Sequence, residues 1–295
     1  MKDSPVDLHI HSNKSSDGDF SPFRIIQLAS QYKFGAVSIA DHDTVAAYPE
    51  ALEWGEIYGV EVIPGIELTT LYKSREFHLL LPFVDWKSKK LHELLRTARK
   101  RRMEEAEARI ARLQEAGFAI RLREVERAAS PFPPLGVTIA QVLLDKAGDQ
   151  PEDLMRKYSH LPDGRSAPYQ FYCDYFAEGK PAHVSRRNIQ LADVLNEVRE
   201  TGGVPVLAHP GASFQNVTGA ELRELKGKGL EGLEVYTSYH NHKKTGFYKK
   251  QAEALDLVAT AGSDFHGSIK PDIPFGCIKN GDSRMIEDLK GRIKA

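Results

Sequence analysis

The chain of 295 residues holds only two cysteines, Cys173 and Cys277, and they stand far apart. Two thiols so placed build neither a disulfide framework nor a thiolate cage for a metal. They read as reduced thiols of a cytoplasmic protein. Long apolar runs are missing as well: none approaches the ~20 residues that cross a membrane, so no membrane partner is expected. Asp3 and Asp7 interrupt the start of the chain, which leaves no apolar core for a secretory leader. Charge of one sign is not in excess either. The formal net charge is -1, so no global field draws the chain to nucleic acid or membrane. There is no repeat and no low-complexity tract, and no obligate protein partner is evident. What remains is a composition of 41% hydrophobic and 27% charged residues. That suits one large α/β domain, or one such domain with an insertion.

What the sequence does have is histidine and carboxylate at the ends of short apolar runs. Val6-Asp7-Leu8-His9-Ile10-His11 reads as a strand. Residues at i and i+2 of a strand share a face, so His9 and His11 can grip one cation together. Similar ends recur at Asp41-His42-Asp43, Gly65-Ile66-Glu67, Phe77-His78, Ala208-His209-Pro210 and Ser263-Asp264-Phe265-His266. Functional side chains at the ends of strands are what the catalytic face of a β/α barrel carries.

Ser21-Pro22 reads as an N-cap with proline at the first helical position. Ala36–Ala40 reads as a buried strand, Thr44–Tyr58 as a helix disturbed by Pro49, and Glu61–Pro64 and Phe77–Val84 as further strands. This alternation predicts a parallel sheet or barrel. Character changes near Asp85. Lys87–Glu115 is long, charged and helical, and the helical segments 137–146, 151–158 and 168–177 follow a Pro-rich loop without a convincing strand. The α/β pattern resumes with a helix over Ile189–Glu200 and strands at Val204–Ala208, Leu230–Tyr236 and Leu257–Ala261, with helices at 218–226, 243–255 and 283–293. The expected organisation is a barrel part at 1–85, a helical insertion at 86–180 and a second barrel part at 181–295.

Nine residues form the candidate cluster: His9, His11, Asp17, His42, Glu67, His78, His209, Asp264 and His266. Imidazoles and carboxylates without thiolate suit Mn, Zn or Fe. Nine ligands exceed what one ion accepts and fit two or three, with a carboxylate such as Glu67 as a bridge. Such a centre yields hydroxide near neutral pH and clamps an oxyanion, so hydrolysis of a phosphate ester is the natural reaction. Asp264, His209 and Glu67 are the residues expected to carry it. Asp41 and Asp43 suit capping or support of a ligand rather than ligation. His92, His160 and His183 sit in helical or polar contexts and read as structural or solvated. His240 and His242 follow a strand and are second-tier site candidates, His240 as a substrate contact. The charge run Arg96–Arg112 reads as a solvated helix face with i,i+4 pairs.

The order His-x-His, Ser-Asp-Gly, Asp-His-Asp-Thr, Gly-Ile-Glu, His-Leu-Leu, Ala-His-Pro-Gly and Gly-Ser-Asp-Phe-His resembles the PHP (polymerase and histidinol phosphatase) family over about residues 5–85 and 180–270. The resemblance implies a distorted seven-stranded β/α barrel with a trinuclear centre. It implies that His9, His11, Glu67 and Asp264 hold one ion, Glu67, His78 and His209 a second, and Asp17, His42 and His266 a third. Within the family the chain is most similar to stand-alone phosphoesterases with a helical insert, which act on nucleoside 3′,5′-bisphosphates and short 5′-phosphorylated oligonucleotides. Arginines matching Arg99 and Arg102 are phosphate contacts on that reading. One departure stands out. Such inserts usually carry Gly-Arg-Pro-His-Ile-Ala, and here the stretch is Gly136-Val137-Thr138-Ile139-Ala140, without Arg or His.

The expected function is therefore a metal-dependent phosphoesterase acting on a nucleotide or small phosphorylated metabolite. One alternative is a 5′-3′ exonuclease on short oligonucleotides, which Arg99 to Arg102 and Arg186-Arg187 keep open. The other is a non-enzymatic metal-binding module, against which the full set of nine ligand types argues.

Overall fold

Val6–Ile10 forms β1, and all five residues are buried. In this computed structural model the described residues are 4–158, 161, 167–185, 187–278 and 280–293. β1 pairs in parallel with β2 (Ala36–Ile39), and β2 with β3 (Glu61–Val62). Between them lie α1 (Pro22–Gln31) and α2 (Tyr48–Tyr58). Ser21 caps α1 by accepting from the Arg24 amide, as its sequence suggests. α2 starts later than the expected Thr44. Pro49 falls in its first turn, where a missing N–H costs no hydrogen bond, so the proline opens the helix instead of disturbing it.

The next part departs from the expected parallel alternation. Glu67 does not end a strand but begins one, β4 (Glu67–Tyr72), which folds back antiparallel onto β5 (Arg75–Leu80). The two-residue turn between them has Lys73 at φ 50 and Ser74 at φ 63, the doubly left-handed geometry that matches strand twist. Further on, Ile189–Gln190 is not helical: it is a short strand, β6, paired in parallel with β4 at Thr70 and Leu71. β7 (Val206–Leu207), β8 (Gly232–Thr237) and β9 (Val258–Gly262) complete a six-stranded mixed sheet of order β6-β4-β5-β7-β8-β9. Its contacts with β5 are antiparallel, and β7, β8 and β9 run parallel. Single bridges, Ile10 to Phe265 and His42 to Glu67, join this sheet to the three-stranded one.

The chain divides into two units, one of Met1–Leu95 with Ile189–Ala295 and one of Arg96–Asn188. Both sheets belong to the first. The second holds most of α3 (Lys89–Glu115), then α4 (Leu122–Ala129), α5 (Gly136–Asp145), α6 (Glu152–Met155) and α7 (Ala167–Tyr175). Its core is apolar, with Leu113, Ile139, Phe171 and Phe176 buried. The first unit closes with α8 (Leu191–Glu197), α9 (Gly219–Gly227), α10 (His242–Ala254) and α11 (Ser283–Lys290). The architecture is an α/β fold with a central mixed sheet and helical insertions. Among the described residues no helix is long and apolar enough to cross a membrane.

The charge run on α3 is only partly the solvated face its sequence suggests. Lys100 and Glu104 pair at the surface, 4.0 Å apart. Arg109 and Glu105 are buried, paired at 2.7 Å, with the guanidinium over the Tyr172 and Phe176 rings at 5.7 and 5.1 Å. Helical periodicity of charge does not reveal that an inserted unit has its own core. His160 and Arg186 lie outside the described residues.

Candidate metal centre

Strand ends gather the cluster. β1 supplies His9 and, one residue beyond its end, His11. β2 leads to Asp41-His42, β7 to His209, and β9 to Asp264 and His266. Glu67 opens β4, and His78 sits inside β5 opposite Thr69. Asp17 comes from the loop between β1 and α1. His209 (φ 26) and Asp264 (φ 59) hold left-handed backbone conformations. Such residues cost about 1–3 kcal/mol each and persist where the surroundings fix them. Here the backbone turns sharply as the strands end, and the side chains turn inward with it.

Three sets of donor atoms converge. Nε2 of His9 lies 3.1 Å from Nε2 of His11, and both lie 3.1–3.3 Å from Oε2 of Glu67 and Oδ1 of Asp264. Oε1 of Glu67, the same residue's other oxygen, is 3.0 Å from Nδ1 of His78 and 3.1 Å from Nε2 of His209. Oδ2 of Asp17 is 3.3 Å from Nε2 of His42 and 3.2 Å from Nε2 of His266. Ligands about 2.0 Å from a tetrahedral ion stand about 3.3 Å from one another, so these spacings suit a shared cation. Looser groupings of the same nine residues also converge, such as His11, Asp17, His42 and His266.

Hydrogen bonding tests the fit. Oε2 of Glu67 is close to three imidazoles, the third being Nδ1 of His42 at 3.1 Å. Yet this buried oxygen and that nitrogen have no hydrogen-bond partner among the described residues. A buried carboxylate oxygen left so costs at least about 1–3 kcal/mol, and a cation would repair it. The residues present fit divalent metal ions.

The charges tell the same story. Burial opposes ionisation of Glu67, but His42, His9 and His78 around it hold its carboxyl well below the usual range. Burial likewise opposes a charge on His9, yet Glu67, Glu234 and Asp264 hold its imidazole well above its ordinary pKa. His11, against the same penalty, is lifted to about 9 by Asp17, Asp264 and Glu67. Burial drives His42 well down. The carboxylates therefore demand positive charge, which protons on His9 and His11 supply when no ion does. Metal binding must displace those protons.

Glu234, Tyr239 and Lys270, which sequence reasoning passed over, hold ligands in place. Glu234, fully buried on β8, accepts from Nδ1 of His9 at 2.9 Å and from the His209 amide at 2.7 Å. It orients one ligand ring and fixes the turn that carries another. Its signal was a lone glutamate in the apolar run Gly232–Thr237. Gly262 leaves it room: a Cβ there would lie 2.1 Å from Oε1 of Glu234 and 2.3 Å from Cβ of His9. Tyr239 donates to Oδ2 of Asp264 at 2.5 Å and Lys270 does so at 2.7 Å, which turns Oδ1 toward His9 and His11. Asp41 accepts from the Ser12 amide and hydroxyl, both at 2.6 Å, and burial raises its pKa to about 6. Asp43 accepts from the Thr69 amide at 3.1 Å.

The remaining candidates stand elsewhere. Both ring nitrogens of His240 face the backbone: Nδ1 lies 2.9 Å from the Val235 carbonyl and Nε2 accepts from the Gly211 amide at 2.9 Å. That leaves neither nitrogen for a substrate phosphate. His242 begins α10. His92 and His183 pair with the carbonyls of Trp86 and Phe176. Arg99 and Arg102 lie on α3 in the helical unit.

The chain is similar to known proteins over most of its length. A family model described as PHP domain matches residues 7–128. The phosphoribosyl 1,2-cyclic phosphate 1,2-diphosphodiesterase of Eggerthella lenta is 31% identical over 266 residues, 88% of this chain and 94% of the relative. The 3′,5′-nucleoside bisphosphate phosphatase of Chromobacterium violaceum is 26% identical, over 88% of this chain and 87% of the relative. The 5′-3′ exoribonuclease of Haemophilus influenzae is 26% identical, over 96% and 95%. A solved structure from Bifidobacterium adolescentis matches with a TM-score of 0.79 at 23% identity, covering 99% of this chain and 97% of that one, which shows the shared fold. The chain belongs to the PHP-domain family, and with its clustered ligands it is a metal-dependent hydrolase of the phosphoesterase class.

Proposed function

We propose that this protein hydrolyses a phosphate ester of a nucleotide or small phosphorylated metabolite at a trinuclear centre. The observation that carries the reading is Glu67, whose two carboxylate oxygens each join a different set of imidazoles. His9, His11, Glu67 and Asp264 would hold one ion, Glu67, His78 and His209 a second, and Asp17, His42 and His266 a third. The donor chemistry suits Mn, Zn or Fe. Bound there, divalent ions supply Lewis acidity and make hydroxide available near neutral pH. Asp264, locked by Tyr239 and Lys270, and His209, locked through Glu234, fix the geometry in which an ester phosphate would be held. Asp17, His42 and His78 keep partial exposure while the other ligands are buried, so substrate would approach from their side. On the same reading the two bridged sheets form one distorted β/α barrel.

The three relatives act, by their names, on a cyclic phosphodiester, a nucleoside bisphosphate and RNA. A 5′-3′ exonuclease on short oligonucleotides is therefore the second reading, supported by the relative covered almost end to end. A panel of phosphomonoesters, cyclic and linear diesters and short 5′-phosphorylated oligonucleotides, assayed with Mn, tests both. Turnover confined to small esters supports the first reading and turnover confined to oligonucleotides the second. No turnover of any member would sink both.

A further inference from the structure

We infer that Phe214 is a specificity-determining residue of this site, its ring face receiving a planar heteroaromatic group of the substrate such as a nucleotide base. The inference rests on the phosphoesterase reading above and narrows its substrate. Phe214 is 51% exposed, yet its ring lies 5.3 Å from that of His209 and 5.7 Å from that of His78. An aromatic side chain left in water beside a buried polar cluster forgoes the burial that ordinarily stabilises it.

Slack in the loop does not explain the exposure. The next residue, Gln215, is fully buried: its Nε2 donates to the Ala208 carbonyl at 3.0 Å and its Oε1 accepts from the His78 amide at 3.4 Å. The Val217 amide donates to the Pro210 carbonyl at 2.8 Å, and the Gly211 amide to His240 at 2.9 Å. With Gln215 pinned inward, its neighbour is turned outward and held there. Tyr239 stands perpendicular to Phe214, ring centres 6.2 Å apart, and also meets the His209 ring at 5.2 Å. The two rings make an aromatic corner beside two proposed ligands. A phosphate ester held at His78 and His209 places its next groups at that corner. Every base has a π face, so stacking on Phe214 would select for a base without selecting which one.

The test compares kcat/KM for adenosine 5′-monophosphate and ribose 5-phosphate, which carry adenine and a hydroxyl respectively at C1′ of the same phosphorylated sugar. Phe214→Ala is expected to lower the nucleotide-to-sugar ratio roughly 5- to 150-fold, the factor that a base–aromatic stack contributes. Phe214→Leu, apolar but without a π face, should lower it as well, and Phe214→Trp should restore it. An unchanged ratio in Phe214→Ala, or a wild-type ratio in Phe214→Leu, overturns the inference. If the wild type hydrolyses neither compound, the phosphoesterase reading for these esters is what fails. Phe214 is then judged by equilibrium binding of the same pair to the metal-loaded protein. Loss of the nucleotide preference in Phe214→Ala supports its role there, and retention overturns it.

Discussion

The two units bury charge in opposite ways. In the helical unit, Arg109 meets Glu105 at 2.7 Å and lies under two aromatic rings, so cation and anion neutralise each other inside the protein. Nη2 of that guanidinium meets Glu105, and its buried Nε has no hydrogen-bond partner among the described residues. In the α/β unit, ligand atoms of Glu67, Asp264 and six imidazoles gather in groups within 4.8 Å, and the buried Oε2 of Glu67 and Nδ1 of His42 have no hydrogen-bond partner among the described residues. A buried pair that satisfies itself is structure. A buried cluster that leaves convergent acceptors open is a site awaiting cations. The helix α3 and the strand ends are both rich in charged residues; what separates them is whether the charges close on each other.

Substitutions can break that contrast. The largest effect is expected from Asp264→Asn and His209→Asn, because each removes a proposed ligand. Asparagine tolerates the left-handed backbone at both positions, so the fold should survive. Hydrolysis should fall by about three orders of magnitude or more, with reduced metal content and an unchanged circular dichroism spectrum. Near-normal turnover with full metal in both variants would mean the cluster is misassigned. Glu105→Ala acts on the other kind of burial. Removing one partner of a buried pair strands Arg109 and should cost the helical unit about 3–5 kcal/mol in urea unfolding, while the metal content stays as in the wild type. A loss below about 1 kcal/mol would contradict the pairing argument. Smaller still is Glu234→Gln, which keeps shape but weakens the acceptor that orients His9. Metal affinity should drop about ten- to hundredfold, read by competition with a chelator. An unchanged affinity would demote Glu234 to packing.

How much of this was legible in the chain follows from where each contact lies. β1, β2, β7, β8 and β9 are apolar runs, most of which lead into ligand residues, so both element and function showed locally. The β4–β5 hairpin did not, because its turn is Lys73-Ser74, without the glycine or asparagine that marks left-handed turns. With the hairpin hidden, Glu67 looked like a strand's end and the sheet looked parallel. β6 is two residues long and exists only through its pairing with β4. Glu234 touches His9 across 225 residues, and Lys270 reaches Asp264 from a loop, so neither has a signal in spacing. His240 follows a strand and was a candidate substrate contact; its partners are backbone groups that only the fold supplies.

The nine-residue cluster should take several ions and not one. Elemental analysis of protein purified without chelator, repeated after reconstitution with Mn and Zn, measures it directly. Two or three first-row ions per chain are expected, because Glu67 offers separate oxygens to separate imidazole sets. One ion or fewer per chain after reconstitution would contradict it.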